Sequence, residues 1–414
     1  MTQLNRKGIY IVTALFVLAA SPLLANGRQA YFNDFDGGLV VASGITDTLG
    51  GITSTESVQG YDGIGSSGNT FGGNFLRNTS GTPWGVPGSP TTLTLTGLPP
   101  HGSVDISFLL AIIDGWDGTE PGGGPGACTD CHPDIFTVTV DGVPVFSEAF
   151  GFNGPVFVPP LGVLLTESVP LGFNSDHDDA AYDMGLNPTF DNIPHSANSL
   201  TIEWVASGDG WQGGDDESWA IDNLEVILYS TFPDVPMSHW AWQFVETIFS
   251  EGLTSGYPDG TYRPDNPVTR GEMAVFIKKG IHGSTYTPPT PDGSHPFSDI
   301  SGHWAEAWIE DLFDEGFTTG FPDGTYRPDN QVTRAEIAVF LKKAIHGSAY
   351  TSPTPDGSHP FSDIAGHWAE AWIEDLYDEG ITTGFPDGTY RPENQVTRAE
   401  MAVFLVNAFN LALP

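Results

Sequence analysis

Trp240, Trp304 and Trp368 stand 64 residues apart, and so do Arg270, Arg334 and Arg398. The stretch Tyr257-Pro258-Asp259-Gly260-Thr261-Tyr262-Arg263-Pro264 returns from Phe321 to Pro328 and from Phe385 to Pro392 with only its first residue changed. Self-similarity at a fixed period constrains a fold more than any local motif, because a unit of this size cannot bury its apolar face alone and its copies must pack on one another. Three such units fill the chain beyond about Thr231, over 231–283, 296–347 and 360–412.

In the second unit, Trp304, Trp308, Ile309, Leu312 and Phe313 recur at helical spacing, and Gly316 stands where a helix C-terminus favours glycine. Pro322-Asp323-Gly324 is turn chemistry. Thr333-Arg334-Ala335-Glu336 then reads as a capping box opening a second helix, whose apolar face is Ile337, Val339, Phe340 and Leu341. The C-terminal expectation is therefore an all-α bundle of three helix-loop-helix repeats, joined by Pro/Thr/Gly/Ser-rich connectors such as Tyr286 to His295 and Tyr350 to His359.

Phe297-Ser298-Asp299-Ile300, His303-Trp304-Ala305, the Gly320 to Pro328 loop and Thr333-Arg334-Ala335-Glu336 together resemble the S-layer homology (SLH) domain. The resemblance covers all three units and departs in the first, where Gly271 replaces Ala and is expected to loosen the helix start by up to about 1 kcal/mol. It implies attachment to a cell-wall polysaccharide or peptidoglycan-linked glycan, often one bearing a pyruvate ketal. The residues agree independently. Arg270, Arg334 and Arg398 each fall in a first helical turn, where the macrodipole disfavours a cation, so an anion is expected opposite them. A ketal carboxylate taking guanidinium and helix N–H donors together would serve. Trp240, Trp304 and Trp368 would offer a flat face to a sugar ring, and Asp234, Asp299 and Asp363 would accept its hydroxyls. The competing reading pairs each Arg internally with the Asp of its own or a neighbouring repeat and buries the Trp. Trp308 and Trp372 are expected in the core.

The chain opens with Arg6 and Lys7, an apolar run from Ile9 to Ala20, and small residues around Ala25, the layout of a signal peptide over 1–25. That run is too short to cross a bilayer, and no later one is longer. No Cys follows it to carry a lipid. From Tyr31 to Ser230 there are 26 acidic residues against a single basic one, Arg77, in a chain of net charge −38. Such a surface repels nucleic acid and suits an exterior rich in divalent cations, though solubility alone also explains it.

Within 31–230 the helical period gives way to short alternating runs at Thr92–Thr96, Val104–Ile113, Phe136–Val140, Leu200–Ala206 and Ala220–Tyr229. Asp141-Gly142 joins Phe136–Val140 to Val143–Phe146 as a hairpin. The fold class expected is an all-β sandwich, jelly-roll-like. Its start, Phe32 to Asp36, and its end, Glu217 to Leu224, are similar to the terminal strands of jelly-roll carbohydrate-binding and concanavalin-like modules. That resemblance implies a structural calcium on Asp34, Asp36 and Asp222. Asp114-Gly115-Trp116 and Asp209-Gly210-Trp211 form either a sugar or calcium site with Asp117, Asp215 and Asp216, or ordinary turns with Trp covering a sheet edge.

Cys128-Thr129-Asp130-Cys131-His132 carries the haem c attachment spacing, with His132 as axial ligand. It stands alone after a Gly-rich loop, and a local Cys128–Cys131 disulfide is the plainer reading, with metal binding a third. No Gly-x-Ser-x-Gly, His-Glu-x-x-His or phosphate loop occurs, while a paired-carboxylate glycosidase is not decided by spacing. The function expected is a non-catalytic protein of the cell surface, anchored by the repeats and displaying a glycan-binding or adhesion module. The rivals are a surface-anchored glycan-active enzyme and an extracellular haem protein. Mass spectrometry of exported protein should show the loss of two hydrogens at the cysteines; a covalent adduct of haem mass would replace the disulfide with an electron-transfer centre.

Overall fold

The computed structural model describes residues 27–51, 53–81, 86–116, 133–151, 156–173, 177–208, 211–214, 217–291, 293, 296–355 and 360–413. The segment 1–25 read as a signal peptide, Cys128, Cys131, His132, Asp117, Asp215 and Asp216 lie outside them.

The alternating runs form strands where expected, and Asp141 and Gly142 take φ of 49° and 76°, as a two-residue hairpin turn with both residues left-handed requires. The strands make two antiparallel sheets. One is five-stranded, in the order Val143–Phe150, Asp134–Val140, Ser199–Ser207, Thr91–Thr96, Thr46–Gly50. The larger sheet centres on Ser103–Asp114, Glu217–Tyr229 and Gly27–Asn33, so the first and last strands of the module pair with each other. Leu93, Leu95, Phe136, Val138, Ile202 and Trp204 of one sheet close on Val104, Ile106, Phe108, Leu110, Val226 and Leu228 of the other, the core of a β-sandwich. Phe108 to Ile113 is an unbroken apolar run because that strand is buried on both faces. Tyr61, Phe71 and Phe75 cover its outer side.

Beyond residue 231 each repeat contributes a short and a longer helix: α1 (Trp242–Ser250) and α2 (Arg270–His282), α3 (Glu306–Asp314) and α4 (Arg334–His346), α5 (Glu370–Asp378) and α6 (Arg398–Ala408). The capping box is complete at α2, α4 and α6. Gly271 does not loosen the first: its box is intact, its N–H donates to the Pro328 carbonyl at 2.9 Å, and it is buried against His303 and Ala305.

The repeats close into a ring about a pseudo-threefold axis. Val332 N–H donates to Val268 O, Val396 to Val332 and Val268 to Val396, at 2.9 to 3.0 Å. The first two N–H groups of each long helix donate into the loop of the next repeat, Arg270 to Asn330 O and Gly271 to Pro328 O being the first pair. The hydroxyls of Tyr262, Tyr326 and Tyr390 donate to the carbonyls of Arg398, Arg270 and Arg334. One hydrophobic core runs through all three units. Two of the three seams also bury a lysine, Lys278 between Asp311 and Glu315 and Lys342 between Asp375 and Glu379. At the seam that closes the ring the equivalent position is Val406, and the seam is apolar there.

Arg398→Ala should lower unfolding stability by about 3 kcal/mol, since it leaves a mostly buried Glu272 without its cation across the closing seam. Arg263→Ala, which removes an exposed pair with Asp259 and an exposed stacking contact over the Tyr257 ring, should cost about 1 kcal/mol. Denaturant unfolding followed by helix circular dichroism measures both; equal small losses would mean that the seam does not depend on the arginine.

Candidate functional site

The anion expected opposite each first-turn arginine is a glutamate of the next repeat. Arg270 pairs with Glu336 at 2.7 Å, Arg334 with Glu400 at 2.8 Å and Arg398 with Glu272 at 3.0 Å. Each Nε donates to a tyrosine carbonyl, and each guanidinium lies 4.7 to 4.8 Å from the rings of an aromatic pair, for Arg334 those of Phe385 and Tyr390. All three arginines are 4% exposed. The expectation of an external carboxylate held by guanidinium and helix N–H groups is therefore corrected. Those N–H groups already donate to the neighbouring loop, and the glutamate neutralises the cation while capping its own helix through the other carboxylate oxygen.

Asp234, Asp299 and Asp363 are corrected as well. Each carboxylate accepts two backbone N–H groups, Asp299 those of Tyr326 and Arg327 at 2.8 and 2.7 Å. This clamp holds Arg263, Arg327 and Arg391 at φ of 59° to 62°, a conformation non-glycine residues seldom adopt without such support.

Trp240, Trp304 and Trp368 keep the role read from the sequence as candidates. Each is 62% exposed, whereas Trp308 and Trp372 pack against the core as expected. An indole left that far in water at the same place three times has no packing explanation. Trp240 lines a cavity of about 490 Å³ with Arg334, Phe385, Glu400, Phe404 and Asn407. The first repeat thus supplies the aromatic face, the second the cation, and the third the wall. A flat apolar surface, a partly neutralised guanidinium and the hydroxyl residues Thr382 and Thr383 converge there, which is the chemistry of a sugar ring with a polar substituent. The glutamates, the Thr382 to Pro386 loop and Asn407 escaped the sequence reading. The glutamate was legible as a capping residue, and its second task spans 66 or 126 residues.

In the β-sandwich, Asp34, Asp36 and Asp222 do approach one another. Burial pushes the Asp222 carboxyl up to about 7 against two backbone donors, and the Asp36 and Asp34 carboxylates add to the rise. Among the described residues, however, no three His, Cys, Asp or Glu side chains form a group able to hold a metal ion. Asp34 accepts from the N–H groups of Asp36 and Gly38, Asp36 from Asn74, and Asp222 from Asn223 and Gly72. All three carboxylates accept hydrogen bonds from the turns around them.

Trp116 and Trp211 do meet, at 5.0 Å between ring centroids, but both are buried, their indole N–H groups donating to Ser218 O and Ser80 O. Both pack in the core of the sandwich. At the junction with the repeats, a chain of hydrogen bonds runs from Pro99 O through His101 and His195 to Asp141. The Pro99 carbonyl fixes His101 as the Nδ1–H tautomer, so His101 Nε2 accepts from His195 Nδ1–H. Every ring nitrogen is engaged, which makes this a structural clamp and leaves no nitrogen to act as a base.

The C-terminal part matches the S-layer homology domain three times, at residues 231–274, 296–338 and 360–402. Among curated proteins the chain is similar to cell surface glycoprotein 1 of Acetivibrio thermocellus, 41% identical over 160 residues that make up 37% of this chain and 7% of that protein. It is also similar to the cellulosome-anchoring protein of the same organism, 37% identical over 153 residues, 37% of this chain and 34% of that one. The chain thus spans about a third or less of these relatives. Among solved structures, the family 11 carbohydrate-binding module from Clostridium thermocellum covers 50% of this chain and 98% of its own at 12% identity, with a TM-score of 0.18, too low to transfer fold or function.

A carboxyl whose folded pKa lies near 7 and whose unfolded value is about 3.9 gives stability that is fully present below about pH 4 and lost as pH rises through 7. Carboxyl-selective NMR titration of the whole chain should place the Asp222 midpoint near 7; a midpoint near 4 would contradict the repulsive cluster. Millimolar calcium should leave the midpoint unmoved if the three carboxylates serve the turns alone, and a sharp fall would restore calcium as their ligand.

Proposed function

We propose that this protein is exported and held non-covalently on the cell surface through its three SLH repeats, which bind cell-wall glycan and display the acidic β-sandwich outward as a binding or adhesion module. The observation that carries the reading is the trio of equally exposed tryptophans, one in each repeat, of which Trp240 lines a cavity with Arg334, Thr382 and Phe385. Relatives named for the cell surface and for anchoring a cellulosome support the location.

In this account the indole takes the flat face of a sugar ring, and an anionic substituent such as a pyruvate ketal approaches the guanidinium at the groove floor. The arginine acts from beneath, through a positive potential that its glutamate only partly cancels. Its first duty is to join two repeats. Three grooves on one rigid ring would engage a repeating polymer together, so modest affinity at each site yields tight overall attachment.

The discriminating variant is therefore the tryptophan triple, not the arginine triple, which would break the ring. Trp240→Ala with Trp304→Ala and Trp368→Ala should cut sedimentation with walls of the producing organism more than tenfold, while helix content and melting temperature stay near those of the parent because the indoles are exposed. Full retention of wall binding by the folded variant would overturn the groove assignment.

A further inference from the structure

The three grooves differ in charge. The 64-residue offset that relates the repeats places Lys279, Lys343 and Asn407 at one equivalent position on the long helices. Asn407 lines the cavity beside Trp240, and its Nδ2 donates to Ile381 O at 3.0 Å. Lys279 reaches the corresponding bend of its own repeat, where Nζ donates to Gly252 O at 3.2 Å. By the same 64-residue offset, Trp304 corresponds with Arg398, Glu272 and Lys279, and Trp368 with Arg270, Glu336 and Lys343, each set carrying one formal positive charge. The groove of Trp240 combines Arg334, Glu400 and Asn407 and has none.

The change is not an isolated drift. In the same repeat Val406 stands where Lys278 and Lys342 are buried, so α6 has lost both ammonium groups of the Lys-Lys pair carried by α2 and α4. The first loss makes the closing seam apolar. The second alters only what a ligand meets, because Asn407 is exposed.

From this we infer, resting on the glycan reading above, that the protein carries two kinds of glycan subsite. The Lys279 and Lys343 grooves take a sugar residue bearing a carboxylate. The Asn407 groove takes an uncharged residue of the same polymer, held by the Trp240 face and by hydrogen bonds from the amide. A carboxylate entering a groove whose arginine is largely cancelled by its glutamate meets only a weak positive potential, whereas the lysine adds a second cation and a charge-assisted bond roughly twice as strong as a neutral one. Asn407 sets the specificity of its groove, and the wall polymer selected is one that carries both charged and uncharged residues.

The test is isothermal titration of the whole chain with two soluble probes, a methyl hexosaminide carrying a 4,6-linked pyruvate ketal and its ethylidene counterpart, identical except for the missing carboxylate. The parent should bind two equivalents of the anionic probe and one of the neutral probe. Asn407→Lys, an exposed change that leaves the core untouched, should raise the anionic stoichiometry to three and weaken the neutral probe about tenfold. Lys279→Asn with Lys343→Asn should weaken the anionic probe about tenfold at both grooves, with unchanged circular dichroism. Three equivalent anionic sites in the parent, or an Asn407→Lys variant indistinguishable from it, would overturn the inference while leaving wall binding intact. Absence of binding by either probe to the parent, together with retained wall binding by the tryptophan triple, would overturn the groove reading itself.

Discussion

The carboxylate at the third position of each long helix is the group on which the anchor depends. Glu272, Glu336 and Glu400 each accept the N–H of a capping threonine with one oxygen and a guanidinium of a different repeat with the other. Helix initiation and ring closure are thus coupled in one side chain. An arginine in a first helical turn is unfavourable in isolation, and here it is stabilised by the residue that also caps the neighbouring helix. No single repeat is self-sufficient, since each takes the cation for its glutamate from the preceding repeat and the carbonyls for its first two N–H groups from the following one.

This coupling explains where the sequence was legible and where it was not. Helix pairs, capping boxes and the loop between them follow from period, turn chemistry and residues three apart, and all stand in the structure. The partner of Arg334 was not legible, because Glu400 is 66 residues away and Arg398 reaches back 126 residues to Glu272. A local reading could only register an uncompensated cation and look outward for its anion. Asp299 misled for a related reason: a carboxylate at a loop edge reads equally as a ligand and as a clamp on backbone N–H groups, and only the left-handed Arg327 that it supports decides. The exposed tryptophans, by contrast, were equally consistent with core, and the threefold repetition of the same exposure separates them from Trp308 and Trp372.

In the β-sandwich, strand positions followed from alternation, and the hairpin from Asp141-Gly142. Alternation does not encode sheet order, nor that Phe108 to Ile113 is covered on both faces. The Asp34, Asp36 and Asp222 group was found by resemblance; what that could not convey is that backbone donors already engage each carboxylate and that burial, with the neighbouring Asp36 and Asp34 carboxylates, raises Asp222. The module's function is correspondingly less determined by its residues than the anchor's, and its acidity describes the compartment better than the ligand.

The central claim is that wall glycan lies in grooves between repeats, against the exposed indoles, on a ring closed by internal ion pairs. The most direct measurement is indole N–H NMR of the whole chain during titration with solubilised wall glycan. The account predicts shifts confined to Trp240, Trp304 and Trp368, with the buried Trp116, Trp204, Trp211 and Trp219 of the sandwich unmoved. Shifts among the sandwich indoles with none among the three exposed ones would contradict it.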